Sequence, residues 1–127
     1  MKRGFTLLEL IVVIIIIGIL ATLGFTQYTM VIEKGRTAEA KAILGQMRTA
    51  QEAYLQEYGA RTATIGNLSV EVPTTCRTTH YFTYSTTAAV GTATRCTASG
   101  KTPNAAAAYL VTLTYDSGTW GGTAGYY

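Results

Sequence analysis

From Phe5 to Phe25 the chain carries one charged side chain, Glu9, in an otherwise apolar run. As a helix, about 21 residues span roughly 31 Å, close to the hydrocarbon thickness of a bilayer. A carboxylate deep in that layer costs roughly 2.5–3.5 kcal/mol on insertion scales, and less near an interface. Lys2 and Arg3 precede the run. By the positive-inside tendency they hold the short N-terminal end in the cytoplasm and send the remainder outward. Any fold for this chain must therefore shelter a wholly apolar helix and make one carboxylate near its start tolerable.

Two readings of this segment come from its length and composition. A secretory signal has a basic start, but its apolar core is typically about 7–15 residues and ends at a small-residue site. This run is longer and lacks such a site followed by polar sequence. A plain membrane anchor fits the run, but leaves Glu9 and the order of residues around Gly4 unexplained. A third reading rests on resemblance. Met1-Lys2-Arg3-Gly4, followed by Phe5-Thr6-Leu7-Leu8-Glu9 and the apolar run, resembles the processing site of type IV pilins and of their relatives, the type II secretion pseudopilins.

The resemblance implies a leader at residues 1–4, cut by a membrane-embedded prepilin peptidase between Gly4 and Phe5. Phe5 then becomes the methylated N-terminus. It implies further that Glu9 of one subunit pairs with the Phe5 amine of a neighbour during assembly. In a low-dielectric filament core an ammonium and a carboxylate attract far more strongly than in water. Such a buried pair specifies register more reliably than it adds stability.

Beyond Phe25 the pattern changes. Glu33, Lys34, Arg36, Glu39, Lys41, Arg48, Glu52 and Glu57 mark a solvated helix face. Ala40, Ile43, Leu44, Met47, Tyr54, Leu55 and Tyr58 recur near helical spacing as one apolar stripe. Gly59 is a stop after the last periodic residue. The expectation is one long helix from about Phe5 to Tyr58, divided into a membrane or filament-core half (5–25) and an amphipathic half (26–58). Gly18 and Gly24 interrupt its apolar half, each at about 1 kcal/mol relative to Ala. One reading is close helix packing. The other is a segment that unwinds as subunits leave the membrane, with Thr26 standing where pilins commonly carry a proline.

Residues 59–127 shift to Thr, Gly, Ala and Tyr, with charge scarce. Strands are expected at 80–85 and 109–115. A turn at Asp116-Ser117-Gly118 leads into a returning strand from Thr119-Trp120, and 69–72 is a weaker strand ended by Pro73. The fold class is α+β: a long N-terminal helix packed against a small antiparallel β-sheet head. Tyr54, Leu55, Tyr58, Leu110, Leu113 and Trp120 are the expected core between them. Gly121-Gly122-Thr123-Ala124-Gly125 reads as a flexible tail. If the head lies outside the cytoplasm, Cys76 and Cys96 form a disulfide; otherwise they are two unpaired thiols.

Little in the head suggests catalysis. His80 is the one histidine, and Asp116 the one aspartate. A Ser-His-Asp triad would need both beside a serine with a nucleophile signature, which is absent. Two cysteines and one histidine lack zinc spacing. No enzyme, cofactor or metal is expected. The mature charge is only slightly positive once Lys2 and Arg3 are discounted, so composition does not require nucleic acid.

The function implied is a structural subunit that polymerises into an extracellular type IV pilus for adhesion, motility or DNA uptake. Its partners would be other copies of itself, the prepilin peptidase, the inner membrane before assembly, and the pilus assembly machinery. The alternative is a type II secretion pseudopilin. Major pseudopilins commonly bind calcium through an acidic loop, and calcium wants several oxygen ligands. The head offers only Glu71 and Asp116, which favours a pilin. A DNA-binding variant of the reading would rest on Arg61, Arg77, Arg95 and Lys101, which are scattered in sequence.

Overall fold

The computed structural model describes Met1 and residues 4–127. The orienting role expected of Lys2 and Arg3 lies outside the described residues. The elements are a 52-residue helix α1 (Leu7–Tyr58), one 3-10 turn (Ile65–Asn67), and four strands: β1 (Phe82–Thr86), β2 (Val90–Arg95), β3 (Leu110–Thr114) and β4 (Trp120–Gly122). The chain divides into two compact units, Met1–Glu33 and Lys34–Tyr127.

In the first unit α1 is unbroken through Gly18 and Gly24, and its apolar side chains from Leu7 to Val31 are exposed all round. By length and composition this helix can cross a membrane. Its threonine hydroxyls are satisfied locally. Thr22 donates to the Ile19 carbonyl at 2.8 Å, Thr26 to Leu23 at 3.1 Å and Thr29 to Thr26 at 2.9 Å. Back-bonding of this kind lets threonine sit in an apolar helix without an orphaned donor.

In the second unit the helix buries one seam: Thr37, Ala40, Leu44, Met47, Ala50 and Gln51. Apart from Ala50 these recur at alternating steps of three and four, which keeps them on one face. The seam meets the inner face of a sheet ordered β1-β2-β3-β4, antiparallel throughout. Phe82, Tyr84, Ala93, Val111 and Leu113 complete the core with Tyr109. Burying a side chain the size of Leu44 or Met47 contributes about 1.5–3 kcal/mol. Helix α1 ends at Gly59, whose φ of +77° suits a residue without Cβ and whose N–H donates to the Leu55 carbonyl at 2.8 Å.

Several sequence expectations need correction. Segment 69–72 is not a strand; Pro73 instead accepts a hydrogen bond from Tyr84 N–H on the outer edge of β1. His80 precedes β1 rather than lying in it. Strand β2 was not expected at all. Its core-facing Gly91 and Ala93 are small because the core crowds its inner face, where Arg95 is the third buried residue. A Cβ on Gly91 would lie 2.7 Å from the Tyr115 hydroxyl and 3.0 Å from Leu44 Cδ2. Of the six expected core residues only Leu113 is buried. Tyr54, Leu55 and Trp120 are half-buried, while Tyr58 and Leu110 are exposed. Nor is 121–125 wholly a loose tail. Gly121 and Gly122 pair with β3, Thr123 N–H donates to Leu110, and Tyr126 stacks on Tyr109 with centroids 4.0 Å apart.

Two devices fix the loops. Cys76 and Cys96 form a disulfide with a sequence separation of 20. It ties the approach to β1 to the end of β2 and contributes about 3 kcal/mol in the chain-entropy model. Gln51 is fully buried, and its amide clamps the chain beyond the helix. It donates to the Thr62 carbonyl at 2.7 Å and accepts from Thr62 N–H at 3.1 Å. It also donates to Thr86 Oγ1, which bonds the Tyr115 hydroxyl at 2.6 Å. Burial pushes the Tyr115 hydroxyl above the ordinary phenol range, and the bonds to Thr86 and Gln51 pull it partly back. Gln51→Leu keeps the volume but strips both backbone groups of Thr62 of their partners. The expected loss is about 2–4 kcal/mol of head stability, read from urea unfolding followed by the fluorescence of Trp120.

Candidate functional site

The awkward carboxylate of the apolar segment has a local partner. Thr6 sits immediately before α1, and Glu9 is the third residue of its first turn. Thr6 N–H donates to Glu9 Oε2 at 2.8 Å, and Thr6 Oγ1 donates to the same oxygen at 2.9 Å. In return Glu9 N–H donates to Thr6 Oγ1 at 3.2 Å. This is a reciprocal capping box, in which two N-terminal amides that the helix itself cannot satisfy are paired. The carboxylate also lies at the positive end of the helix dipole.

Thr6 is the residue that the sequence reading overlooked. Its signal was present as Thr6-Leu7-Leu8-Glu9, the T-x-x-E spacing of a capping box, read there only as part of a processing motif. Both capping bonds converge on one oxygen, Oε2. A carboxylate has two oxygens and about four lone-pair sites, so a cap does not exhaust its capacity to take a cation. Gly4 and Phe5 next to it are exposed, and nothing lies within 4 Å of where a Gly4 Cβ would be. The bond between them is open to an approaching group.

The head gives His80 and Asp116 separate partners. His80 Nδ1 pairs with Thr79 Oγ1 and Nε2 with the Thr75 carbonyl, each at 2.9 Å. Asp116 is instead held by Arg61, which also bridges to Glu52 at 2.6 Å. Among the described residues no group of three or more His, Cys, Asp or Glu is placed to hold a metal.

Nor do the four head cations form one basic surface. Arg61 is engaged by two carboxylates. Arg95 is 1% exposed and points into the head, donating to the carbonyls of Tyr81, Cys96 and Pro103. Arg77 and Lys101 are exposed, and the Lys101 ammonium lies 5.0 Å from the Tyr81 ring centroid. Of the four residues a DNA-binding reading would use, Arg61 is committed to the head's own acids and Arg95 to its interior.

Comparison with known proteins gives matches over both units. Residues 37–121 match the family described as type IV pilin-like G and H, and residues 1–25 match the prokaryotic N-terminal methylation motif. The chain is 44% identical over 55 residues to the type IV major fimbrial protein FimA of Dichelobacter nodosus, covering 43% of this chain and 35% of that one. It is 40% identical over 56 residues to the type IV major pilin protein PilA of Myxococcus xanthus, covering 44% and 26%. With the type IV major alpha-pilin of Moraxella bovis the figures are 43% over 56 residues, covering 44% and 35%. The match therefore spans only about a quarter to a third of the length of these relatives. No solved structure gives a significant match.

Proposed function

We propose, from the premise that the chain belongs to the type IV pilin-like family, that it is the structural subunit of a type IV pilus. The observation that carries this reading is the sequence of parts. A methylation motif opens the chain, the apolar helix behind it has every face exposed, and a disulfide-closed head follows. A helix that is apolar all round needs lipid or other helices against it. A filament of such helices supplies the second once the subunit leaves the first.

In this proposal the precursor rests in the inner membrane with its head outside. Cleavage between Gly4 and Phe5 by a prepilin peptidase removes Lys2 and Arg3 and creates an amine at Phe5, which is then methylated. The assembly machinery extracts the subunit, and Glu9 takes the Phe5 amine of a neighbour. Gly18 and Gly24 are the places where α1 can open during that transfer, since neither contributes a side chain to packing. A pseudopilin role is less well supported. The relatives are named as fimbrial proteins and major pilins, and among the described residues Glu71 and Asp116 belong to no group of three or more His, Cys, Asp or Glu placed to hold a metal.

The test is electron microscopy of filaments sheared from cells, with mass spectrometry of their subunit. Long filaments built from a chain that starts at methylated Phe5 are the expected result. A subunit that stays in the envelope and is needed only for secretion would overturn it in favour of the pseudopilin.

A further inference from the structure

A cleft of about 420 Å³ lies on the head between Ile43 of α1 and the segment 71–80 that leads toward β1. Val72 is buried in its lining, with Ile43 and Pro73 half-buried. Glu71 and Arg77 line the same cleft at exposed positions. Among the described residues neither has an ion-pair partner, so the carboxylate and the guanidinium share one hollow without meeting. The segment that carries them is braced. The Pro73 carbonyl accepts from Tyr84 N–H at 2.9 Å, and Cys76 is tied to Cys96. His80 Nε2 donates to the Thr75 carbonyl, which can only accept, and this leaves Nδ1 to accept from the Thr79 hydroxyl. The two charges are therefore presented from a fixed frame.

We propose that this cleft binds a short zwitterionic peptide, its free ammonium on Glu71, its carboxylate on Arg77 and an aliphatic side chain against Ile43, Val72 and Pro73. Charge complementarity selects that occupant. A simple anion drawn to Arg77 is opposed by Glu71, and a simple cation drawn to Glu71 is opposed by Arg77. A molecule with both charges meets an opposite charge at each end. A guanidinium also suits a carboxylate in shape, through two parallel N–H···O bonds. The described lining holds no Phe, Tyr or Trp, so a neutral sugar would find no ring of that kind to stack on.

Size sets the length of the peptide. A water takes up about 30 Å³ of liquid, so the cleft has room for about fourteen of them. That is the scale of a dipeptide, whose two residues span roughly 7 Å when extended. With both charges exposed and the apolar lining small, the expected Kd is about millimolar. The site belongs to the head alone, so it can fail while the pilin reading stands.

The experiment titrates leucylglycine into the purified full chain in detergent and follows the peptide by saturation-transfer NMR. Three relatives are titrated beside it: N-acetyl-leucylglycine, leucylglycinamide and glycylglycine. The wild-type chain is expected to bind leucylglycine saturably. Acetylation, amidation and loss of the leucine side chain should each weaken binding about threefold to tenfold. Substitutions then assign the ends. In Glu71→Gln acetylation should cost nothing further while amidation still does, and in Arg77→Gln the reverse should hold. This crossed pattern separates a lost contact from a damaged head, since a misfolded cleft would lose both discriminations together. Absence of saturable leucylglycine binding up to about 10 mM would overturn the proposal. So would equal binding of the free and blocked peptides, or full discrimination retained by both variants. Tighter binding of inorganic phosphate than of leucylglycine, abolished in Arg77→Gln, would overturn it in favour of an anion site.

Discussion

Replacing Glu9 by valine or alanine is expected to leave the subunit inserted and processed while lowering filament yield at least about tenfold. Insertion should if anything improve, because a carboxylate leaves an apolar segment. Loss of the cap costs the monomer about 0.5–2 kcal/mol at the first turn of α1, which a membrane-supported helix can bear. What valine cannot replace is the anion that meets a neighbour's amine. The structure also supplies a control that separates cap from charge. Glutamine at this position still completes a capping box with Thr6, since Glu and Gln both serve there. Glu9→Gln should therefore keep the helix start and still fail in assembly. Thr6→Val, which breaks the cap but spares the charge, should assemble better than either. Filament yield after shearing, set against processed subunit in the membrane, is the measurement. Normal yield from Glu9→Gln would sink the charge-pairing mechanism and leave the cap as the reason for the carboxylate.

How legible the fold was depended on whether side-chain character matched structural role. The long helix could be read from end to end, because its apolar run, its stripe and the glycine at its end all agree. Strands β1 and β3 could be read from β-branched and aromatic clusters. Strand β2 could not, because its core-facing positions are Gly91, where a Cβ would meet Leu44 and Tyr115, then Ala93 and Arg95, none of them β-branched or aromatic. In sequence they look like loop. Tyr58 and Leu110 were misplaced because periodicity finds a face but not how far the partner extends over it. The seam also contains Thr37 and Gln51, polar residues whose burial depends on bonds to the Lys34 and Thr62 carbonyls that no hydrophobic pattern reveals. At the N-terminal site Glu9 stood out by charge alone. Thr6, which holds it, was hidden within the processing motif.

Arg95 carries the second large effect, since charge in a sequence says nothing of depth. Its guanidinium lies 3.2 Å from the Tyr81 carbonyl, 3.1 Å from that of Cys96 and 2.8 Å from that of Pro103. It also sits 5.0 Å from the Tyr81 ring centroid and 5.8 Å from that of Phe82. Arg95→Ala does not orphan all three carbonyls equally. Tyr81 O still accepts from Cys96 N–H, and Cys96 O from Ala105 N–H. Pro103 O loses its guanidinium donor, a loss of about 1–3 kcal/mol, and the ring contacts add about 0.5–2 kcal/mol. A destabilisation of about 3 kcal/mol is expected, measured by urea unfolding of the full chain in detergent with Trp120 as reporter. Arg77→Ala, at an exposed position, should change stability by less than about 0.5 kcal/mol. Equal effects from the two substitutions would refute the assignment of Arg95 to the interior. The difference also bears on function. A nucleic-acid contact would weaken in a graded way with salt as exposed cations are removed. Removal of Arg95 should instead loosen the 97–108 loop and the disulfide-linked end of β2, so any binding lost with it would track unfolding rather than charge.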